Sequence, residues 1–361
     1  MNYLSFFSGI GGFELALQRT FGDKAKCVGY SEINPTALGI YERHFPNHEP
    51  LGDITKITPQ MITELYRRVG HIDLIVGGFP CQNLSLANTK GERNGLDGAK
   101  SGLFFQLLKI MNTVSTLNKA TNRKTFFILE NVRGMGKYRT LITKHLSESF
   151  DGIVETELNS KHFSAQQRIR YIWTNFPVKP VPSTLKGPVL ADILAPQKDV
   201  LKYINELQYS DQMLNYLNAM VKVKNATPKG HYQVVCSKPD KDHVKLCHFK
   251  QIKPSDPDTM VRWMRYAFSD TANEKSRTIA SQFPHVLVDR RFGTNDKFMV
   301  RSFFSEEIES LFTFPQQWTK YNSQGKLMGK TANTRKRLNV LGNSVVVDAI
   351  KYITDALSSQ F

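Results

Sequence analysis

The run Gly77-Gly-Phe-Pro-Cys-Gln-Asn-Leu-Ser85 sets a thiol, Cys81, directly after a proline and just beyond the apolar stretch Ile72-Asp-Leu-Ile-Val76. Cysteine acts as a nucleophile when it is partly exposed and its pKa is drawn below about 8.5 by amides or cations. A glycine-rich turn closing a strand offers both. Pro80 fixes φ ahead of the thiol and aims it. Taken alone, a Pro-Cys pair is more often an ordinary buried cysteine in a tight turn. Other polar residues at matching positions tip the reading toward chemistry: Ser8-Gly-Ile-Gly-Gly12, Glu32, Asp53, Glu130-Asn131 and Gln166-Gln-Arg-Ile-Arg170 each border an apolar run.

The elements that must hold these residues follow from the pattern. Tyr3–Phe7 reads as a strand, Ser8–Gly12 as a glycine turn and Phe13–Arg19 as a helix, so a ligand can approach the turn's backbone and meet helix N-terminal amides. This is not the G-x-G-x-x-G fingerprint, and alone it is a weak signal. Cys27–Ser31 is a second strand closed by Glu32, where an acid commonly accepts from ribose hydroxyls, although a lone Glu32 is as often a solvated carboxylate. A helix over 35–45 leads to Gly52-Asp-Ile-Thr55, placing Asp53 at a third strand end. The polar stretch from Asn88 to Gly102 reads as a surface loop or lid, Leu103–Met111 as a helix and Thr125–Leu129 as a buried strand ending in Glu130. A helix over 138–150, a strand at Val154–Leu158 and a strand at Tyr171–Thr174 complete an α/β unit with a mostly parallel sheet, its ligand edge carrying Gly9, Glu32, Asp53, Cys81 and Glu130.

The pattern breaks at Phe176-Pro-Val-Lys-Pro-Val-Pro182. The expected organisation is therefore a large domain over 1–177, a smaller irregular one over 178–300 and a return to the large domain over 301–361. The middle segment holds 19 Lys and Arg against 12 Asp and Glu, which suits a nucleic-acid reader. Arg301 to Pro315 reads as an amphipathic helix, and a last helix runs to Leu357.

Across 361 residues, 48 Lys and Arg face 32 Asp and Glu, a formal charge of +16, so a polyanion is the expected partner. Four widely spaced cysteines do not make a disulfide framework and point to a reducing cytoplasm. Cys236 and Cys247 have His231, His243 and His248 nearby without a C-x-x-C pair, so no metal is predicted. The start lacks a signal-peptide pattern, and no apolar run nears the ~20 residues of a membrane span, so no membrane partner is expected.

In this order, Phe7-Ser-Gly-Ile-Gly-Gly12, Glu32, Asp53-Ile54, Pro80-Cys-Gln82, Glu130-Asn-Val132, Gln166 with Arg168 and Arg170, the 301–315 stretch with Glu307, and Gly342-Asn-Ser-Val345 make the chain resemble the DNA (cytosine-5)-methyltransferase family over nearly its whole length. The size resembles bacterial or phage members, and the run from Pro80 to Val132 is similar to the vertebrate de novo branch. Ser5, Asn34 and Ser305 depart from residues usual in the family. The resemblance implies a Rossmann-like S-adenosylmethionine-dependent methyltransferase sheet with a separate target-recognition domain.

It further implies that Cys81 adds to carbon 6 of cytosine, with Glu130 at ring nitrogen 3 and the exocyclic amine, Arg170 at the base carbonyl, and Arg168 alongside, serving the phosphate backbone. S-adenosylmethionine would be held by Phe7, Gly9, Gly11, Gly12, Glu32, Asp53, Ile54, Pro80, Leu103, Asn343 and Val345, and Gln82 and Ser85 would touch flanking phosphates. The target base would be rotated out of the duplex, the loop Asn83 to Lys100 closing behind it. A monomer acting on double-stranded DNA in the bacterial cytoplasm is expected, sharing its site with a cognate restriction endonuclease without a stable complex. Two rivals stand beside this reading. A transfer-RNA cytosine-5 methyltransferase would share the same catalytic residues, and the long basic segment before Arg301 argues against it. An inactive DNA-binding module is opposed by the intact Pro80-Cys81, Glu130 and glycine turn.

Overall fold

The computed structural model describes residues 1–80, 102–136, 138–219, 231–240, 242–252, 268–281, 285–294, 296–329, 331–332 and 334–360. Cys81, Gln82, Ser85 and the Asn83 to Lys100 loop lie outside the described residues.

Strands β1 (Asn2–Phe6), β2 (Lys26–Ser31), β3 (Leu74–Gly77) and β4 (Phe126–Val132) are parallel in the order β2-β1-β3-β4. Beyond β4 lies β6 (Ile169–Thr174), antiparallel to it, and then β5 (Val154–Asn159), antiparallel to β6. Alternate residues feed two apolar layers. Tyr3, Val76, Ile128 and Ile172 face one, while Leu4, Ile75, Phe127 and Trp173 face the other. The first layer is covered by α1 (Gly12–Phe21), α2 (Pro35–His44) and the final helix; the second by α3 (Pro59–Val69), α4 (Leu103–Lys119) and α5 (Tyr138–Ser149). Such two-sided burial is why these strands read as continuous apolar runs.

Helix starts follow local chemistry. Asn34 Oδ1 accepts from the Thr36 and Ala37 amides ahead of α2, and Thr58 caps α3, each with proline at the first helical position. The strand expected before Asp53 is instead a single bridge between Tyr30 and Pro50, with the Leu51 amide donating to the Tyr30 carbonyl at 2.7 Å.

Four short helices, α6 (Leu190–Ile193), α7 (Gln197–Lys202), α8 (Ile204–Leu207) and α9 (Asp211–Ala219), precede a second sheet. Its strands are β7 (His231–Cys236), β8 (Leu246–Ile252), β9 (Phe268–Asp270), β10 (Val286–Asp289) and β11 (Phe298–Ser302), in the order β7-β8-β11-β10-β9. The segment expected to be irregular thus holds a five-stranded sheet with its own apolar cluster, including Leu214, Val234, Val288 and Val300.

Two sequence expectations are corrected in this region. Arg301 lies on β11 rather than on a helix, and the helix is α10 (Ser305–Leu311), so the second sheet ends at Ser302. An arginine as its fourth residue hid the strand. Its guanidinium is fully buried, bonded to Asp289 Oδ2 at 2.9 Å and to both Glu307 oxygens at 2.8 Å, and two carboxylates offset a desolvation cost of several kcal/mol. Second, Cys236 and Cys247 stand opposite one another in the β7–β8 register and are joined as a disulfide, where unpaired thiols were expected. Only strand pairing brings the two together.

The chain returns through α11 (Arg335–Gly342) and α12 (Val347–Leu357), which lies along α1, with Arg19 paired to Asp348 at 2.6 Å. No described helix is long and apolar enough to cross a membrane.

Candidate active site

The carboxyl ends of β1, β2, β3 and β4 share one edge of the sheet, and the reversed β6 brings its beginning to the same edge. For this reason Glu130, late in β4, and Arg170, early in β6, meet. Arg170 Nε lies 2.7 Å from Glu130 Oε1 with both side chains mostly buried. This is a charge contact without an aligned N–H, and Arg170 Nη1 donates to the Ile169 carbonyl at 2.8 Å. Gly78 passes against the pair: a Cβ there would stand 3.0 Å from Glu130 Oε2. Asn131, buried, donates from Nδ2 to the Phe79 carbonyl at 3.2 Å and accepts from the Val132 amide at 2.8 Å. The acid therefore sits beside the turn that leads through Pro80 to Cys81, and Asn131 ties that turn to β4.

At the β1 end the backbone turns sharply, with positive φ at Phe7 (55°), Gly9 (58°) and Gly11 (86°). Strain of this kind at a non-glycine residue, Phe7, collects where a turn is shaped for a ligand. Gly11 gives α1 no side-chain cap, which leaves helix N-terminal amides available to a polar ligand. Glu32 spans this turn: Oε2 accepts from the Gly9 amide at 2.9 Å and Oε1 from the Ile33 and Asn34 amides at 2.8 and 2.7 Å. Asp53 Oδ1 accepts from the Thr55 amide and hydroxyl, which hold its carboxyl below the ordinary range. Ile54 is buried next to it, and Phe7 and Leu103 pack on the same apolar layer. From the returning chain, Val345 closes on the turn. A Cβ on Gly12 would lie 2.6 Å from Val345 Cγ2, while Asn343 is exposed.

The family described as C-5 cytosine-specific DNA methylase matches residues 1–359. The chain belongs to that family.

Among curated members, type II methyltransferase M.NlaIV of Neisseria lactamica is 30% identical over 213 residues, 54% of this chain and 46% of that protein. Orphan methyltransferase M.Rho11sI of Bacillus phage rho11s is 35% identical over 180 residues, 48% of this chain and 32% of that protein. The chain spans less than half the length of these relatives. In fold it is similar to the S. pombe Dnmt2 methyltransferase (TM-score 0.63, 16% identity, 100% and 99% of the two chains), and to the Entamoeba histolytica methyltransferase EhMeth (TM-score 0.65, 15% identity, 100% and 98%).

Within this C-5 methylase fold, one expected site residue lies elsewhere. Arg168 is only 3% exposed, and its guanidinium donates to the carbonyls of Ile279, Gly342 and Ser344 at 2.8, 3.0 and 2.8 Å. It points into the junction below the edge, so it is withdrawn as a phosphate contact and as a group touching the base. The carbonyls of Ile279, Gly342 and Ser344, all distant in sequence, fix its direction, and the sequence alone did not say which way.

Three contributors escaped the sequence reading. Gln106 on α4 donates to the carbonyls of Ile54 and Ile57 at 3.1 and 2.9 Å, holding the Asp53 turn. Trp318 donates from its indole to the Ile10 carbonyl at 2.9 Å and so pins the glycine turn. Ile33 is 66% exposed beside Glu32, an apolar face at a polar edge. An isolated glutamine or tryptophan carries no sequence signal for such roles; the exposed isoleucine after Glu32 could have been noticed.

Proposed function

We propose that this chain methylates carbon 5 of a specific cytosine in double-stranded DNA, with Cys81 as nucleophile. The observation that carries the reading is the Glu130–Arg170 pair set against Gly78, three residues before Cys81, in a chain that matches the family from end to end. Cytosine is too electron-poor at carbon 5 to attack a methyl donor. Addition of the Cys81 thiolate to carbon 6 makes carbon 5 nucleophilic; once carbon 5 carries the methyl group, its proton is lost and the Cys81–carbon 6 bond breaks, restoring the ring and the free thiolate. A carboxyl that donates to ring nitrogen 3, with its second oxygen toward the exocyclic amine, offsets the charge that develops in the ring, and that role falls to Glu130. Arg170, anchored on Glu130, directs its remaining donors to the base carbonyl.

S-adenosylmethionine supplies an electrophilic methyl group. The residues present fit it: a glycine turn with positive φ at Phe7, Gly9 and Gly11 for the methionine portion, a Glu32 carboxylate for the ribose hydroxyls, Asp53 for the adenine amine, and Phe7 and Ile33 as apolar faces. Pro80, Leu103, Asn343 and Val345 complete its walls. A base stacked in a duplex must be rotated out to reach this edge, and the segment Asn83 to Lys100 closes behind it, with Gln82 and Ser85 on the flanking phosphates. The biological setting is bacterial or phage DNA modification in the cytoplasm. The enzyme acts there as a monomer and shares its site with an endonuclease that it does not bind stably.

The test is transfer of tritium from methyl-labelled S-adenosylmethionine to unmethylated plasmid DNA, with a transfer-RNA pool assayed in parallel. Label in duplex DNA that maps to cytosine supports the proposal. Label confined to RNA assigns the transfer-RNA reaction, and label in neither sinks catalysis altogether.

A further inference from the structure

The methylase reading leaves a buried arginine unexplained, and the observations around it converge on one role. We infer that Arg168 is a positioning residue that couples closure of the cofactor turn to the geometry of the Glu130–Arg170 pair; the inference rests on the function proposed above. Its three carbonyl acceptors belong to separate parts of the chain. Gly342 and Ser344 bracket the turn whose next residue, Val345, touches Gly12 of the glycine turn, and Ile279 lies on the segment that joins β9 to β10 in the second sheet. The guanidinium also lies 4.9 Å from the Phe312 ring centre, just past α10.

Neighbouring residues fix the same junction. Gln166, fully buried, accepts from the Ile279 amide at 3.2 Å and contacts the Leu311 carbonyl at 3.5 Å; the Gln167 amide donates to Ser276 at 2.9 Å. Gly342 packs so closely on this segment that a Cβ would lie 2.4 Å from the Ser281 amide nitrogen. Arg168 directly precedes β6, its carbonyl accepting from the Ser160 amide at 2.9 Å, and two residues on, within β6, stands Arg170 in contact with Glu130. A continuous path of contacts therefore runs from Gly12 through Val345 and Ser344 to Arg168, and from there through β6 to Arg170 and Glu130. A planar fork of five donors can hold carbonyls on two sides at once, which a lysine ammonium cannot do in the same geometry. Coupling between two ligand sites is a free energy measurable from either side, typically a 5- to 150-fold change in affinity.

The experiment measures that factor directly. The methylated site is first mapped by bisulfite sequencing of plasmid from cells expressing the protein, and a duplex carrying the unmethylated site is then titrated with and without S-adenosylhomocysteine. In the wild type, S-adenosylhomocysteine should tighten duplex binding at least about 5-fold. In Arg168→Lys that factor should fall to about 2-fold or less, while each ligand alone binds within about 3-fold of wild type. A variant that keeps the wild-type factor overturns the inference, as does a wild type that binds both ligands without coupling; a wild type that binds neither sinks the methylase reading with it. A second measurement needs no variant. In wild-type hydrogen exchange, S-adenosylhomocysteine should raise protection together at residues 342–345 and 169–171, and protection confined to 342–345 overturns the coupling.

Discussion

Cys81 stands one residue after Pro80, and every proposed chemical role depends on its thiolate. Cys81→Ala and Cys81→Ser are expected to drop methylation below a few per cent of wild type while S-adenosylmethionine binding, measured calorimetrically, is kept, because the proposed donor site, the glycine turn and Glu32, does not include the thiol. A variant with substantial turnover would falsify the nucleophile assignment. A second residue-scale expectation concerns Glu14 in the first turn of α1. Complete burial pushes its carboxyl up from 4.5 to about 7, with Tyr41 donating to it at 3.1 Å. An acid whose folded pKa is raised binds more protons folded than unfolded between the two values, so its contribution to stability declines as pH rises from about 4.5 to 7 and is level above. Glu14→Gln should remove that slope, a gain relative to wild type at pH 8 of up to about 3 kcal/mol at roughly 1.4 kcal/mol per pKa unit. Denaturant melts of both proteins at pH 5 and pH 8 check it; parallel profiles would remove Glu14 as the source.

At the scale of elements, the meeting of strand and helix ends makes the site. β6 runs against its neighbours, so its first residues reach the edge where the other strands end; Arg170 meets Glu130 there, while Arg168, just before β6, turns to the carbonyls of Ile279, Gly342 and Ser344. The β10–β11–α10 corner depends on the buried triad Asp289–Arg301–Glu307. Glu307→Gln leaves the Arg301 charge underpaired and should cost about 3–5 kcal/mol, read from urea melts. Gly342→Ala brings a methyl group onto the backbone of Ala280 and Ser281, where nothing flexible can yield. Overpacking of this kind costs about 1–3 kcal/mol, and the strain should also weaken S-adenosylmethionine binding, since Val345 follows in the same turn. An alanine variant with unchanged melting and unchanged affinity would show that the junction gives way more easily than its contacts imply.

For the molecule as a whole, the question is where sequence recognition resides. On the proposed function, the large sheet carries groups that would serve any target cytosine, which leaves the basic segment with its own five-stranded sheet to read flanking bases. Most of its Lys and Arg should contact phosphate and set a salt-dependent affinity, while a few reach base edges, each worth roughly 1–3 kcal/mol of discrimination. Exchanging residues 178–302 with the equivalent stretch of a family member should move the methylated-site profile without abolishing transfer. The exchange must extend to Ser302, because cutting after Val300 would split β11 and separate Arg301 from its strand. An active chimera that keeps the parent's profile would place recognition in the large domain or the Asn83 to Lys100 segment.

The sequence by itself determined the α/β character, the strand-end positions of the glycine turn, Glu32 and Glu130, and the family, because strands buried on both faces and turns at their ends leave local patterns in the chain. Glu130 and Arg170 could also be matched as a pair from their motifs, although the reason they touch is the reversal of β6. Tertiary structure alone decided the rest. The buried Arg301 on a strand, the turning of Arg168 into the interior, the Cys236–Cys247 bridge and the contributions of Gln106 and Trp318 all depend on partners distant in sequence. A polar residue's role is set by what lies within hydrogen-bonding distance of it, and for these residues that neighbourhood exists only after the sheets pair and the last fifty residues fold back onto the first.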